Sequence, residues 1–232
     1  MTPTQKLVQI EAWSFSRLND YQKCPFLAKC KHVDRLREPD SPYGAKGTLV
    51  HEEAARYLQD KKLKLPISLQ RFADEFKQLR EQQVLCEQQW AFDKEWLPCS
   101  WFGPRAWLRI VMDAHYLKTV KEGRGLRRTA AVVIDYKTGK LYPEHTQQRS
   151  LYALGAMLMY PDAQEIAVQH WYLDAGESQA SAFVAKDLQR LKDEWLRGSY
   201  KMLHDQKFVP TPGRHCKWCH FRRSNNGPCT EG

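Results

Sequence analysis

The sequence predicts an α/β or α+β domain built around a small mixed sheet, with helices before, between and after the strands. Three observations predict it. The first third carries apolar residues at helical spacing; from about Val84 three successive runs are rich in β-branched and aromatic residues; and beyond Lys140 helical and strand patterns alternate again. With 232 residues, 42% of them hydrophobic, the chain can bury one well-formed core.

Ser16 is the expected N-cap of "RLNDYQKCPFLAKC", in which Leu18, Tyr21 and Phe26 or Leu27 recur at helical spacing until Pro25 breaks or bends the segment. A charged, turn-rich connection, "REPDSPYGAKG", follows. Leu49, Ala54, Tyr57 and Leu58 then form a helical stripe in "TLVHEEAARYLQD", and "LQRFADEFKQLREQ" repeats that pattern after Pro66. "VLCEQQWAFD", "RAWLRIVMDAHYL" and "TAAVVIDYK" read as three strands of a meander. Pro143 opens the helix "PEHTQQRSLYALGAMLMY", which carries Leu151, Leu154, Ala156 and Leu158; "EIAVQHWYLD" alternates as a further strand. The amphipathic "AKDLQRLKDEWLRGSYKMLHD" precedes a cysteine-rich tail, and neither repeats nor low-complexity segments interrupt the order.

The balance of 36 Lys plus Arg against 27 Asp plus Glu, a formal +9, suits a polyanionic partner such as nucleic acid. "MTPTQKLVQIEAWSFS" lacks the pattern of a secretory leader, and no window has the eighteen or so apolar residues that span a bilayer, so the expectation is a cytoplasmic protein with no membrane association. Seven cysteines in such a setting point to reduced thiols or ligands.

"VVIDYKTGK" carries the chemistry. Asp135 and Lys137 are two apart on a strand and share a face. A buried carboxylate needs a cationic partner. Asp113 likewise follows an apolar run, in "LRIVMDAHYL", so adjacent strands would bring two carboxylates together at their ends. Such oxygens suit Mg2+ or Mn2+, and an ammonium beside them would position a water or balance a scissile phosphate, as metal-assisted phosphodiester hydrolysis requires. An acid–lysine pair at a solvated sheet edge gives the same D-x-K, so other residues must decide. His51 opens a helix and is a competent metal ligand; Gln148 and Tyr152, four apart, share one helix face and could reach a phosphate or base near the metal.

In this order His51, Asp113, "DYK" and "QRSLY" resemble the PD-(D/E)XK nuclease superfamily, in particular its RecB-like branch with a Q-x-x-x-Y motif, over roughly residues 14 to 229. The resemblance implies a restriction-endonuclease-like core. It also implies a catalytic metal held by His51, Asp113, Asp135 and the Tyr136 carbonyl, Lys137 assisting the attacking water, and Gln148 and Tyr152 lining the DNA path. Glu87, in the strand-like "CEQQWAF", is expected only in a supporting position, touching a ligand rather than the metal. The chain then reads as one nuclease domain over 1–232: a helical opening at 14–46, the nuclease core at 47–206 and a cysteine lobe at 207–232.

The tail "CKWCHFRRSNNGPC" pairs Cys216 with Cys219 and adds Cys229 after nine residues, a ligand set one short of four. His215 or His220 would complete a zinc site locally; Cys24 is the distant alternative. "SFSRLNDYQKCP" resembles the opening segment of RecB-like nucleases with a 4Fe-4S cluster, including the AddB subunit and the CRISPR-associated exonucleases. That resemblance implies a cluster on Cys24, Cys216, Cys219 and Cys229 that joins the chain ends, with zinc the alternative. Cys30, Cys86 and Cys99 read as small buried side chains.

Arg105, Arg109, Arg127, Arg128, Lys140 and Arg149 flank the proposed chemistry as phosphate contacts, with Arg109, Lys140 and Arg149 the principal DNA-binding candidates; Trp101, Phe102 and Trp107 are candidates for stacking on unpaired bases. The function implied is a DNA exonuclease or end processor in recombination, repair, phage DNA metabolism or CRISPR adaptation. It would act on single strands or duplex ends, with protein partners in a recombination or adaptation complex. No phosphate-binding G-x-x-x-x-G-K-[ST] loop of a helicase motor is present. The competing readings are a catalytically inactive DNA-binding module with a structural metal centre, and a zinc-ribbon interaction protein with a fortuitous D-x-K.

Overall fold

The computed structural model describes residues 8–39, 41–122 and 126–231, and among these the side chains of all but 120–122 and 126–128. Arg127 and Arg128, two of the expected phosphate contacts, therefore lie outside the described side chains. In chain order the elements are α1 (Phe15–Lys23), α2 (Pro25–Ala28), α3 (Pro42–Gln59), α4 (Ala73–Arg80), β1 (Leu85–Phe92), β2 (Pro98–Cys99), β3 (Leu108–Glu122), β4 (Leu126–Lys137), α5 (Glu144–Met159), β5 (Ala163–Tyr172), β6 (Glu177–Val184) and α6 (Leu188–His204), with short 3-10 and π turns between. They form two compact units, Ser41–Asp193 and a second that unites Met1–Asp40 with Glu194–Gly232. These boundaries differ from the 46/47 and 206/207 divisions read from the sequence.

The larger unit is a six-stranded mixed sheet in the order β2-β1-β3-β4-β5-β6. The meander expected from the three apolar runs is present, since β1 pairs with β3 and β3 with β4, all antiparallel. β5 returns parallel to β4 after α5, the connection a parallel pair requires. β6, an edge strand of mostly small and polar residues, is a feature the sequence pattern did not announce. On one side of the sheet Val132, Ile134, Tyr136 and Trp171 pack with Val50, Ala54, Tyr57 and Leu58 of α3 and with Phe76 and Leu79 of α4. On the other side α5 comes close enough that a Cβ on Gly155 would stand 2.7 Å from Ile110 Cδ1, so a larger residue there would require the Ile110 side chain to shift.

Three local expectations are corrected. Helix α3 begins at Pro42, inside the segment read as a turn-rich connection, because proline at the first helical position forfeits no hydrogen bond. Its buried stripe uses Val50, whereas Leu49 is 51% exposed. In the smaller unit the N-cap of α1 is Ser14, whose side chain accepts from Arg17 N, and not Ser16. Pro25 ends α1 as expected, and starts α2. Trp13 packs on Trp195, and Tyr21 meets Phe208 edge-on while donating to Asp205 at 2.7 Å. No described helix is long and apolar enough to cross a membrane.

Candidate active site

The β3–β4 ladder runs down to Ala114↔Ile134 and stops. Asp113 and Asp135 would be the next pair, but there Asp113 Oδ2 accepts the Tyr136 N–H at 2.7 Å, so a carboxylate replaces the strand-to-strand bond and the two strands part. Asp113 thus sits mid-strand, at a fork, and not at the strand end its apolar run suggested. The β1 side is irregular at the same level. Glu87 stands opposite Asp113, between Cys86↔Ala114 and Gln88↔Met112, without pairing, and its φ is +51°, uncommon for a residue with a Cβ. The alternation slips here. Met112 faces Gly155 of α5, whereas Asp113 turns to His51 and Ala114 joins the core beneath α3, while the β1–β3 register is the same on either side of the unpaired Glu87 and Asp113.

That slip delivers Asp113 to His51, whose Nδ1 lies 3.3 Å from Asp113 Oδ1. Nitrogen and carboxylate oxygens of His51, Glu87 and Asp113 all fall within 4.8 Å of one another. Burial and the charge of Asp135 push Asp113 above the ordinary carboxylate range, against the pull of His51 and the Tyr136 N–H. Burial and Asp113 push Glu87 up as well. Burial pulls the His51 imidazole down, but Asp113, Asp135 and Glu87 outweigh it and raise it. Two neighbouring carboxylates beside an imidazole are a donor set with surplus negative charge, which a hard divalent cation fits.

Asp135 faces the other way, toward α5. Burial pushes it up, yet Lys137, His170 and Tyr152 together hold it below the usual carboxylate range. Lys137 Nζ lies 2.6 Å from its Oδ2, as the period of two requires, and Tyr152 Oη donates to its Oδ1 at 2.8 Å. Gln148 Nε2 in turn donates to Tyr152 Oη at 2.8 Å. Gln148 and Tyr152 are only 8% and 7% exposed, so the pair expected along a DNA path stands behind Asp135 instead.

The expected DNA contacts are dispersed. Arg149 is interior, spending its donors on Ser181, Gln179, Thr146 and His170, which removes it from the phosphate-binding surface. Trp107 is buried, which removes it from base stacking, whereas Phe102 is 86% exposed. The Arg109 guanidinium lies over Trp101 at 5.5 Å, Arg105 pairs with Asp93 at 3.3 Å, and Lys140 is exposed. An open cleft lined by Thr48, His51, Glu52, Arg56, Gln59 and Glu87 runs along one face of α3.

A family model for the PD-(D/E)XK nuclease superfamily matches residues 12–129 and 120–224. The chain belongs to that superfamily. Membership implies a metal-dependent phosphodiesterase with a DNA substrate. A solved structure described as "Crystal structure of SSO0001" is similar at 14% identity and a TM-score of 0.44, over 91% of this chain and 84% of that one. No curated protein matches this chain.

In this superfamily member the smaller unit gathers Cys24, Cys216, Cys219 and Cys229 around a single cavity, which His215 also lines. Their chain segments are fixed by short turns. Cys24 Sγ accepts from Thr211 N and Cys216 Sγ from Gly213 N, each at 3.4 Å, the kind of bond that steadies a thiolate. Burial raises the Cys219 thiol, against the Phe221 N–H, and Cys229, Cys216 and Cys24 add to that, so the other three each lie within electrostatic reach of Cys219. The nine-residue gap before Cys229 folds back on itself. Gly227 presses on the Phe221 backbone so closely that no Cβ fits, and Cys229 N donates to Phe221 O at 3.0 Å. Of the other cysteines, Cys30 and Cys86 are buried as expected and Cys99 is partly exposed.

Proposed function

We propose that the chain is a Mg2+- or Mn2+-dependent deoxyribonuclease acting at DNA ends, an exonuclease or end processor. The observation that carries this reading is the convergence of His51, Glu87 and Asp113 at one fork with the Asp135–Lys137 pair. His51, Asp113 and Glu87 would hold the ion, with Asp135 and the Tyr136 carbonyl as the further oxygen donors. When bound, the ion would polarise the scissile phosphate and make a water nucleophilic at neutral pH. The chain's own residues supply the rest. Lys137 carries protons that can be donated to the attacking water or a phosphate oxygen, and Tyr152, backed by Gln148, fixes the carboxylate beside it. Glu87 is here promoted from supporting acid to ligand, since its carboxylate reaches both His51 and Asp113.

The cysteine cavity supports a 4Fe-4S cluster on Cys24, Cys216, Cys219 and Cys229, with zinc as the alternative occupant; four sulfur donors and backbone N–H···S bonds suit such a centre. Its role would be to tie the N-terminal segment to a tail too poor in apolar side chains to fold alone. The protein would work in recombination, repair, phage DNA metabolism or CRISPR adaptation, in the cytoplasm.

The test is degradation of end-labelled linear and closed circular DNA with Mg2+ or Mn2+ and with chelator, for wild type, Asp113→Asn, Glu87→Gln and Lys137→Ala, alongside their melting temperatures. Metal-dependent loss of linear DNA, abolished in folded Asp113→Asn, is expected. Metal-dependent DNA binding without any cleavage would instead establish the inactive binding module.

A further inference from the structure

His170 sits opposite Asp135 in the β4–β5 ladder and is 0% exposed. A buried imidazole ordinarily has both nitrogens engaged. Here Nε2 has no hydrogen-bond partner and lies 3.7 Å from Asp135 Oδ2. Nδ1 faces Arg149 Nη1 at 3.4 Å. A guanidinium can only donate, so Nδ1 must accept and the ring hydrogen must be on Nε2, the nitrogen turned toward Asp135. Arg149 is itself held rigidly, donating to Ser181 Oγ at 2.9 Å, Gln179 Oε1 at 3.1 Å and Thr146 Oγ1 at 3.3 Å. The rings of His145, Tyr152 and Tyr172 meet the His170 ring edge-on and fix its plane.

The oxygen that Nε2 addresses is already occupied: Lys137 Nζ stands 2.6 Å from Asp135 Oδ2. The Lys137 ammonium has three N–H donors, but reaching out to a reacting phosphate would draw it away from an oxygen it now holds at 2.6 Å. When it turns away, a buried carboxylate oxygen loses its closest partner. Resting on the nuclease reading above, we propose that His170 is a positioning residue: its Nε2–H takes over Asp135 Oδ2 when Lys137 leaves for the reacting phosphate, and Arg149 sets the tautomer that makes this possible. No bond to carbon or phosphorus is made or broken in the exchange; one hydrogen bond replaces another, and the carboxylate keeps its place. Side chains that orient metal-binding groups in this way are commonly worth about 10- to 100-fold in metal affinity or activity.

The experiment compares wild type with His170→Phe, which fills the space without a donor, and His170→Gln, which restores an N–H. Single-turnover cleavage with Mn2+, DNA affinity without turnover, and Mn2+ affinity by calorimetry are measured for each. His170→Phe is expected to cleave about 10- to 100-fold more slowly and to bind Mn2+ more weakly at unchanged DNA affinity, with His170→Gln recovering most of both. A folded His170→Phe that matches wild type in rate and Mn2+ affinity overturns the proposal. Nitrogen NMR of the wild-type histidines decides independently of whether the variants fold: Nε2–H is expected, and an Nδ1–H tautomer overturns it. If wild type cleaves no DNA with either ion, the nuclease reading fails, while the tautomer and the Mn2+ affinities still judge the claim about His170.

Discussion

Replacing Tyr152 by phenylalanine removes a single oxygen and separates two roles for the Q-x-x-x-Y helix. If Gln148 and Tyr152 lined a DNA path, their loss would weaken substrate binding. The structure buries both and spends the phenol on Asp135 Oδ1 at 2.8 Å. A hydrogen bond to a charged acceptor contributes about 1.5–3 kcal/mol, which at about 1.4 kcal/mol per decade amounts to a roughly 10- to 150-fold slower chemical step. DNA affinity should be unchanged. Gln148 reaches Asp135 through Tyr152, so Gln148→Leu should cost less in the Tyr152→Phe background than in wild type, the sign of a shared network. The assay is single-turnover cleavage of an end-labelled duplex at saturating enzyme, with fluorescence anisotropy for affinity and thermal melting as the folding control. A tenfold weaker affinity with an unchanged rate constant would refute the positioning argument and restore the DNA-path role.

Two further outcomes follow from the smaller unit. Gly227→Ala places a methyl against the Phe221 backbone, which cannot yield as a side chain would, so Cys229 should be displaced; metal or iron content per chain should fall by elemental analysis, as in Cys229→Ala, while Cys30→Ala keeps it. Burial pushes the Asp20 carboxylate up, but His32 at 2.9 Å and Lys31 at 3.0 Å outweigh this and hold it below its ordinary range. Its stabilisation is therefore fully present above the unfolded value of about 4 and lost as pH falls through the lower folded value; urea midpoints should drop over that acid window, and less steeply in Asp20→Asn.

The strand that ends in "DYK" was legible because a period of two is rigid: once Val132 and Ile134 face the core, Asp135 and Lys137 must share the other face. The meander and the helix after it were legible for the same reason, periodicity over a long segment. Glu87 was not. Its approach to His51 and Asp113 depends on a left-handed φ and a slip in alternation, and a single residue leaving the pattern has no signature among regular neighbours. Arg149 was misplaced through a different omission. A basic residue on a helix beside an active site reads as a phosphate contact only if that helix face is open. β6 closes it, supplying Gln179 and Ser181 to the guanidinium. "ESQASAFV" opens on six polar or small residues and carries Phe183 and Val184 only at its end, too little of the β-branched and aromatic content of a central strand, so neither the edge strand nor the burial of Arg149 is legible from it.

His170 was concealed by the very regularity that exposed Asp135. In "EIAVQHWYLD" it takes the place of an apolar residue in the alternation after Ile166 and Val168, and an imidazole there reads as core. What separates it from core is its neighbour in the parallel ladder, because register between β4 and β5 sets Asp135 and His170 side by side. The two acids of the fork then divide the work by environment. Both are buried, and burial alone would raise both. Asp135 has an amine, a phenol and an imidazole at hand and is held ionised. Asp113 has His51 and one backbone N–H against the charges of Asp135 and Glu87, and remains raised. The unmet demand for positive charge therefore lies on the Asp113 side of the fork, where His51 and Glu87 converge, and it is there that a divalent cation would contribute most to holding the strands in their parted arrangement.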